Sequence, residues 1–337
     1  MRTAAMENRI AVSWRPPPGT VTQYEIEACR DGLCDTTLVV NDTTEATVRL
    51  WEYHEWFGVR VRAGNVLPQD RSSPPMGNYG PWSPEITTRT GREGVVLAET
   101  VWLYDDVITS ADSSVFDSAS FIGRGTRRGF WDMVARRWTT VDSLYLFNAS
   151  YDGHEIEYQL HPEYGSADSA RVHVDKYAPV IGRLPRDLLV AAREVEISPG
   201  NLRQGGLSAG PCGGSHHIYT RNARPLDEDL HLEEALLHEA GHLLTSQCQG
   251  HETSDDWLAA QAADGIFPTE YARLNPRSED TAEAIWAWFV ARCVPERAHD
   301  AVVRTIEERL PNRLAYFDRL GLDMSPFRCR SVNPTVN

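Results

Sequence analysis

Residues 238–242 read His238-Glu239-Ala240-Gly241-His242, an H-E-x-x-H pentapeptide inside a stretch with helical spacing of apolar residues. On an α-helix, positions i and i+4 lie on one face, one turn apart. His238 and His242 therefore point the same way and can hold one metal ion. Glu239, one residue on, sits beside that face, where it can take a proton from a water that the metal activates. These residue types at this spacing point to the chemistry of a zinc hydrolase. The helix is expected over 227–244. Asp227 is placed to cap it, acidic residues fill its first turn, and Leu230, Leu236, Leu237 and Leu244 give it an apolar side.

A catalytic zinc with two histidines needs a third protein ligand and an open position for water. The extended pattern HExxHxxGxxH is not met, because Thr245 stands at its Gly and Cys248 at its last His. A later helix offers an alternative. Glu279 and Glu283, in Ser278-Glu279-Asp280-Thr281-Ala282-Glu283, are again i and i+4. One can bind the metal while the other accepts the free N–H of a ligand histidine. His216, His217 and His251 are rival ligands or substrate contacts, with ordinary surface positions expected for the first two.

The HEAGH motif, with Tyr271-Ala272-Arg273-Leu274-Asn275-Pro276 and Glu279-Asp280-Thr281-Ala282-Glu283, resembles the gluzincin metallopeptidases. The likeness is to the lethal-factor-like and Pro-Pro-endopeptidase-like group, and it covers about residues 225–290. That resemblance implies one catalytic Zn2+ held by His238, His242 and Glu279. It implies Glu239 as general base, Glu283 as orienter of His238, and Tyr271, read as lying in a loop, as the group that stabilises the oxyanion. It further implies that a sheet-edge strand near the zinc helix pairs with extended substrate. Here the candidate is His216-His217-Ile218-Tyr219-Thr220.

The chain has 337 residues, enough for more than one domain. Residues 9–90 alternate in short strands broken by proline and glycine, as in Ile10–Trp14, Tyr24–Ala28 and Phe57–Ala63. That pattern predicts an all-β sandwich. Trp14 before a proline run, Val59-Arg60-Val61-Arg62-Ala63-Gly64-Asn65 and Gly80-Pro81-Trp82-Ser83 resemble a fibronectin type III domain. It is placed at 7–90 with its first strand missing or very short, and implies a spacer or a surface or matrix ligand. A linker is expected over 85–95. The remainder, 95–331, is expected to be an α+β zincin-like metallopeptidase domain with its metal-binding helices at about 227–292. Within it, Phe121–Gly125 is read as a turn and Trp131–Arg137 as helical. Ser143–Phe147 and Ile156–Leu160 are read as a hairpin about Tyr151-Asp152-Gly153. Ala170–Leu184 is read as a helix kinked or broken by Pro179.

A formal charge of −15 argues against nucleic-acid and anionic-membrane partners. No apolar run reaches the ~18 residues needed to span a bilayer. The six cysteines suit disulfides and an oxidising, extracellular or cell-surface location. Proximity suggests Cys29–Cys34, Cys212–Cys248 and Cys293–Cys329, and other pairings stay open. The first nine residues lack the apolar core of a secretory signal, so the sequence is expected to be a fragment or to begin at a wrong start codon. The expected function is a zinc-dependent endopeptidase acting on peptide or protein. The competing expectations are an inactive adhesion or binding protein on a degenerate peptidase fold, and a zinc amidase acting on cell-wall material.

Overall fold

The structure, a computed structural model, describes residues 2–6, 9–18, 21–30, 33–40, 44–49, 56–66, 77–89, 95–97, 100, 107–132, 137–200, 206–210, 212, 214–223, 231–298 and 300–330. The chain divides into two compact units, Met1–Ala98 and Glu99–Asn337.

The first unit has strands and no helix among its described residues. The strands are β1 (Arg2–Met6), β2 (Arg9–Ser13), β3 (Gln23–Arg30), β4 (Leu33–Val40), β5 (Glu45–Arg49), β6 (Trp56–Val66), β7 (Gly77–Tyr79), β8 (Ile86–Arg89) and β9 (Val95–Leu97). One sheet has the order β1-β2-β5, and a second runs β4-β3-β6-β7 with β8 also on β6. Alternation sets what each face does. Tyr24, Ile26 and Ala28 of β3 join Val59 and Val61 of β6, Val12 of β2 and Val48 of β5 in one core. Between them, Glu25 and Glu27 stand opposite Arg62 and Arg60 and pair with them across the strands. Arg62 lies over the rings of Tyr79 and Trp82, at 4.5 and 4.4 Å. Residues 2–6, ahead of the expected module, form β1 and pair antiparallel with β2. Part of the expected linker, Ile86–Arg89, is instead β8, because Trp56–Val59 offer it a ladder.

The second unit is mixed α/β. Its sheet contains β10 (Phe116–Asp132), β11 (Arg137–Tyr151), β12 (His154–Leu160), β13 (Glu194–Ser198), β14 (Leu207–Gly210) and β15 (Ser215–Tyr219). Their spatial order is β10-β11-β12-β13-β15-β14. The pairs β12/β13 and β13/β15 are parallel and the others antiparallel. Parallel neighbours need a crossover. Between β12 and β13 it is made by α1 (Ala167–Ile181) and α2 (Arg186–Ala191). Ser166 caps α1 through its side chain. Pro179 falls in the last turn of α1 and does not break it.

Two segments fold differently from what their local pattern predicts. Phe121–Gly125 is not a turn but lies within β10, where the register shifts between Phe121 and Gly123. Gly123 has φ +124°, which glycine adopts at no steric cost and other residues rarely do. Trp131 and Asp132 are not helical, because they complete β10 opposite Trp138 and Arg137; residues 133–136 lie outside the described ones. The expected hairpin about residues 151–153 forms, with Asp152 at φ 48° and Gly153 at φ 82°, a turn of the primed kind.

The remaining elements carry the candidate site. They are α3 (Leu232–Thr245), α4 (Asp255–Asp264), β16 (Phe267–Thr269), α5 (Glu270–Leu274), α6 (Asp280–Cys293), α7 (Asp300–Arg309) and α8 (Pro311–Leu320). Helix α4 starts at a Ser254 cap and ends at Gly265 in the left-handed conformation. Helix α3 packs on α6, α2 and β14. Helix α6 is buried on every side from Asp280 to Ala291, as its nearly continuous apolar sequence requires. Three disulfides join Cys29 to Cys34, Cys212 to Cys248 and Cys293 to Cys329. The second ties the β14–β15 turn to the chain just after α3. Among the described residues, no helix is long and apolar enough to cross a membrane.

Candidate metal centre

Helix α3 begins at Leu232, and its cap residue His231 makes no side-chain capping bond. The expected cap, Asp227, lies outside the described residues. The start of the helix is instead anchored by buried Glu234, whose Oε1 accepts from Val107 N at 2.8 Å and Ile108 N at 3.0 Å. One turn on, His238 is buried, and one further turn brings His242.

Gly241 sets how close α6 can come. A Cβ there would stand 2.8 Å from Ile285 Cγ2 and 3.2 Å from Ala282 Cα. The missing side chain lets the two helix backbones approach, and so brings the start of α6 to the histidines. Glu279 occupies the cap position of α6 but makes no capping bond. Its carboxylate turns to the histidines instead. Glu279 Oε2 lies 3.4 Å from His238 Nε2 and 3.0 Å from His242 Nε2, and the two Nε2 atoms are 3.1 Å apart. Three ligands on a tetrahedral ion with bonds of ~2.0–2.1 Å would be separated by roughly 3.3 Å. The three atoms therefore already stand at the corners such an ion needs. Among the described residues, His238, His242 and Glu279 form a group that could hold a metal ion.

Glu283, one turn beyond Glu279, is fully buried and faces the other ring nitrogen, His238 Nδ1, at 3.2 Å. Its Oε1 also accepts from Thr100 Oγ1 at 2.5 Å. Burial would depress His238, but the hydrogen bonds to Glu279 and Glu283 and the charges of Glu283 and Glu239 outweigh it and hold its pKa up at about 10. Burial would raise Glu279, and the two histidines overcome it and hold that carboxyl well below its usual range.

Half-buried Glu239 has its pKa raised by burial first, with Glu279 and Glu283 adding to the rise and His238 and His242 opposing it. Tyr271 is not in a loop but in the short helix α5, capped by Thr269. Its ring centroid lies 6.3 Å from that of His238, and solvent still reaches it. Burial of its covered part, then Glu279 and Glu239, push the phenol pKa well up, so it keeps its proton and can donate.

No family model matches the chain, and no curated protein matches it.

Of the residues singled out in the sequence, the structure brings together His238, His242, Glu279, Glu283, Glu239 and Tyr271. The rival histidines go elsewhere. His216 and His217 are not on the surface: both are buried, because β15 lies inside the sheet between β13 and β14. His217 Nδ1 and Nε2 face Ser208 Oγ and Ser215 Oγ, at 3.2 and 3.0 Å. His251 Nδ1 meets Tyr316 OH at 2.7 Å. Among the described residues, the strand at this edge of the sheet is therefore β14, not β15.

The supporting frame left no mark in the sequence. Arg313 of α8 is fully buried and holds both oxygens of Asp280, next to Glu279, at 3.1 and 3.0 Å. It also donates to Asp264 Oδ2 at 3.0 Å and Ile266 O at 2.9 Å. One buried guanidinium thus ties the end of α4 and the start of α6 to α8. Neither Thr100 nor Arg313 stands in a motif, and no local signal points to either.

Proposed function

We propose that the second unit is a zinc-dependent endopeptidase. The observation that carries this reading is the convergence of His238 Nε2, His242 Nε2 and Glu279 Oε2 at tetrahedral spacing, with the Glu239 carboxylate beside them. Two imidazoles and one carboxylate are a donor set that suits zinc and leaves a position open. Zinc, when bound, supplies a Lewis acid that acidifies water and polarises a carbonyl. Glu239 takes the proton from the attacking water and returns it to the leaving amine. Its raised pKa suits both halves of that transfer. Tyr271 donates its hydroxyl hydrogen to the oxyanion. Glu283 Oε1 stands 3.2 Å from His238 Nδ1, placed to accept its hydrogen and so leave Nε2 to ligate. Among the described residues β14 ends the sheet and packs on α3, so an extended peptide can add to its outer edge.

The first unit, with its three-stranded sheet on β1-β2-β5 and the second sheet centred on β3 and β6, is read as a fibronectin type III-like spacer or adhesion module. The three disulfides support work outside the cell.

The test compares wild type with Glu239→Gln on a broad peptide mixture, with zinc content measured on both. Wild type is expected to cut, and the variant to hold zinc and not cut. Full activity in Glu239→Gln would rule out this mechanism. A folded, zinc-loaded wild type that cuts nothing would leave a binding protein on a peptidase fold.

A further inference from the structure

The carboxylate behind His238 has a partner of its own. Thr100 is buried and lies 183 residues before Glu283 in the chain, yet its hydroxyl donates to Glu283 Oε1 at 2.5 Å. The same oxygen faces His238 Nδ1 at 3.2 Å. A carboxylate oxygen has two lone pairs, so Oε1 can accept from the threonine hydroxyl and still take a second donor.

The last torsion of a glutamate is broad and nearly twofold, so the covalent chain does not decide which oxygen meets the histidine. A threonine is stiff about its first torsion. A hydroxyl fixed on one side of Oε1 therefore holds that oxygen in place to take the second donor, Nδ1–H. In the neutral ring that a metal binds, a hydrogen on Nδ1 leaves the lone pair at Nε2, which points to His242 and Glu279.

We propose that Thr100 is a positioning residue for the metal group: through Glu283 Oε1 it fixes the orientation and tautomer of His238. This rests on reading His238, His242 and Glu279 as metal ligands. Thr100 touches neither substrate nor metal, and its effect reaches the site only through Glu283.

The test is zinc affinity of the full chain at one fixed pH, by competition with a chromophoric chelator. It uses wild type, Thr100→Val and Thr100→Ser, with folding of each metal-free protein checked by near-UV circular dichroism. Valine keeps the shape and loses the hydroxyl; serine keeps the hydroxyl. Thr100→Val is expected to bind zinc about tenfold more weakly, the scale for a hydrogen-bond partner behind a ligand, and Thr100→Ser to stay within about twofold of wild type. The valine substitution is then repeated in a Glu283→Ala background, where it should cost nothing further. Overturning results are a Thr100→Val affinity equal to wild type, a Thr100→Ser affinity as weak as the valine variant's, or an equal valine effect in both backgrounds. If Glu283→Ala fails to fold, the valine–serine comparison decides alone. Failure of the wild type to bind zinc would overturn the ligand set itself, and with it the role of Thr100. Zinc binding unchanged in Thr100→Val would overturn only the latter.

Discussion

Replacing Gly241 by alanine tests whether the helix crossing sets the metal site. The new Cβ would lie 2.8 Å from Ile285 Cγ2, 3.2 Å from Ala282 Cα and 3.5 Å from Ala282 Cβ. Carbon atoms settle at about 3.5–4.0 Å, so Ile285 must give by roughly 0.7 Å or more and the α6 backbone at Ala282 by roughly 0.3 Å or more. Isoleucine in a helix is held to one main rotamer, which leaves little relief without moving α6. Ala282 lies between Glu279 and Glu283, so a shift of α6 carries both carboxylates away from α3. Metal–ligand distances tolerate only about 0.2 Å. Zinc affinity should therefore fall by about tenfold or more. Stability should change less, because overpacking costs about 1–3 kcal/mol while alanine gains about 1 kcal/mol over glycine in a helix interior. The assay pairs zinc competition with urea unfolding of the metal-free protein. A Gly241→Ala variant that binds zinc as tightly as wild type would refute the reasoning. One that merely unfolds would show that the crossing serves the fold before the site.

Glu279→Ala should lose most bound zinc by elemental analysis, whereas a full complement would move the third ligand to another residue, Glu283 first. Replacing Cys212 and Cys248 by serine removes a link with a sequence separation of 36, worth up to about 4 kcal/mol by chain entropy. The urea midpoint should fall while zinc stays, since the ligands lie on α3 and at the start of α6; an unchanged midpoint would show that packing alone holds the β14–β15 turn. Burial, and then Glu194, push the pKa of Glu196 up to about 9. The folded protein thus keeps a proton that the unfolded chain releases near pH 4–5, and this contribution is lost as pH rises towards 9, by up to about 1.4 kcal/mol per unit. Glu196→Gln should flatten that decline in urea unfolding at pH 6–9, and an unaltered slope would refute it. Burial lowers His217 to about 4 and His216 to about 3, the latter helped by His217. Their contribution is complete above pH ~6.5 and fades as pH falls through those values, so substituting both by glutamine should reduce acid sensitivity between pH 6 and 4.

The chain by itself determined whatever depends on near neighbours. The i, i+4 spacing put His238 beside His242, and Glu279 on the same side of the chain as Glu283, because helix geometry repeats every turn. Alternation over residues 10–13, 24–28 and 57–63 made strands, and Gly265 ended α4 where a left-handed residue was needed. Sequence proximity was enough to suggest the three cysteine pairs that the structure contains.

Local pattern gave way where a distant partner outweighed it. Gly123 looked like a turn and became a bulge because β11 supplied a ladder along the whole of β10. His216 and His217 looked like surface residues and were buried when β14 closed over the edge of β15. Tertiary structure alone decided the supports of the metal group: Thr100 on Glu283, Arg313 on Asp280, Glu234 on the backbone at 107–108, and the approach of α6 at Gly241. A sequence records which side chains can donate, accept or ligate. Which of them meet across tens to hundreds of residues is set by the packing of whole helices and sheets, to which every buried residue contributes and which no short stretch encodes.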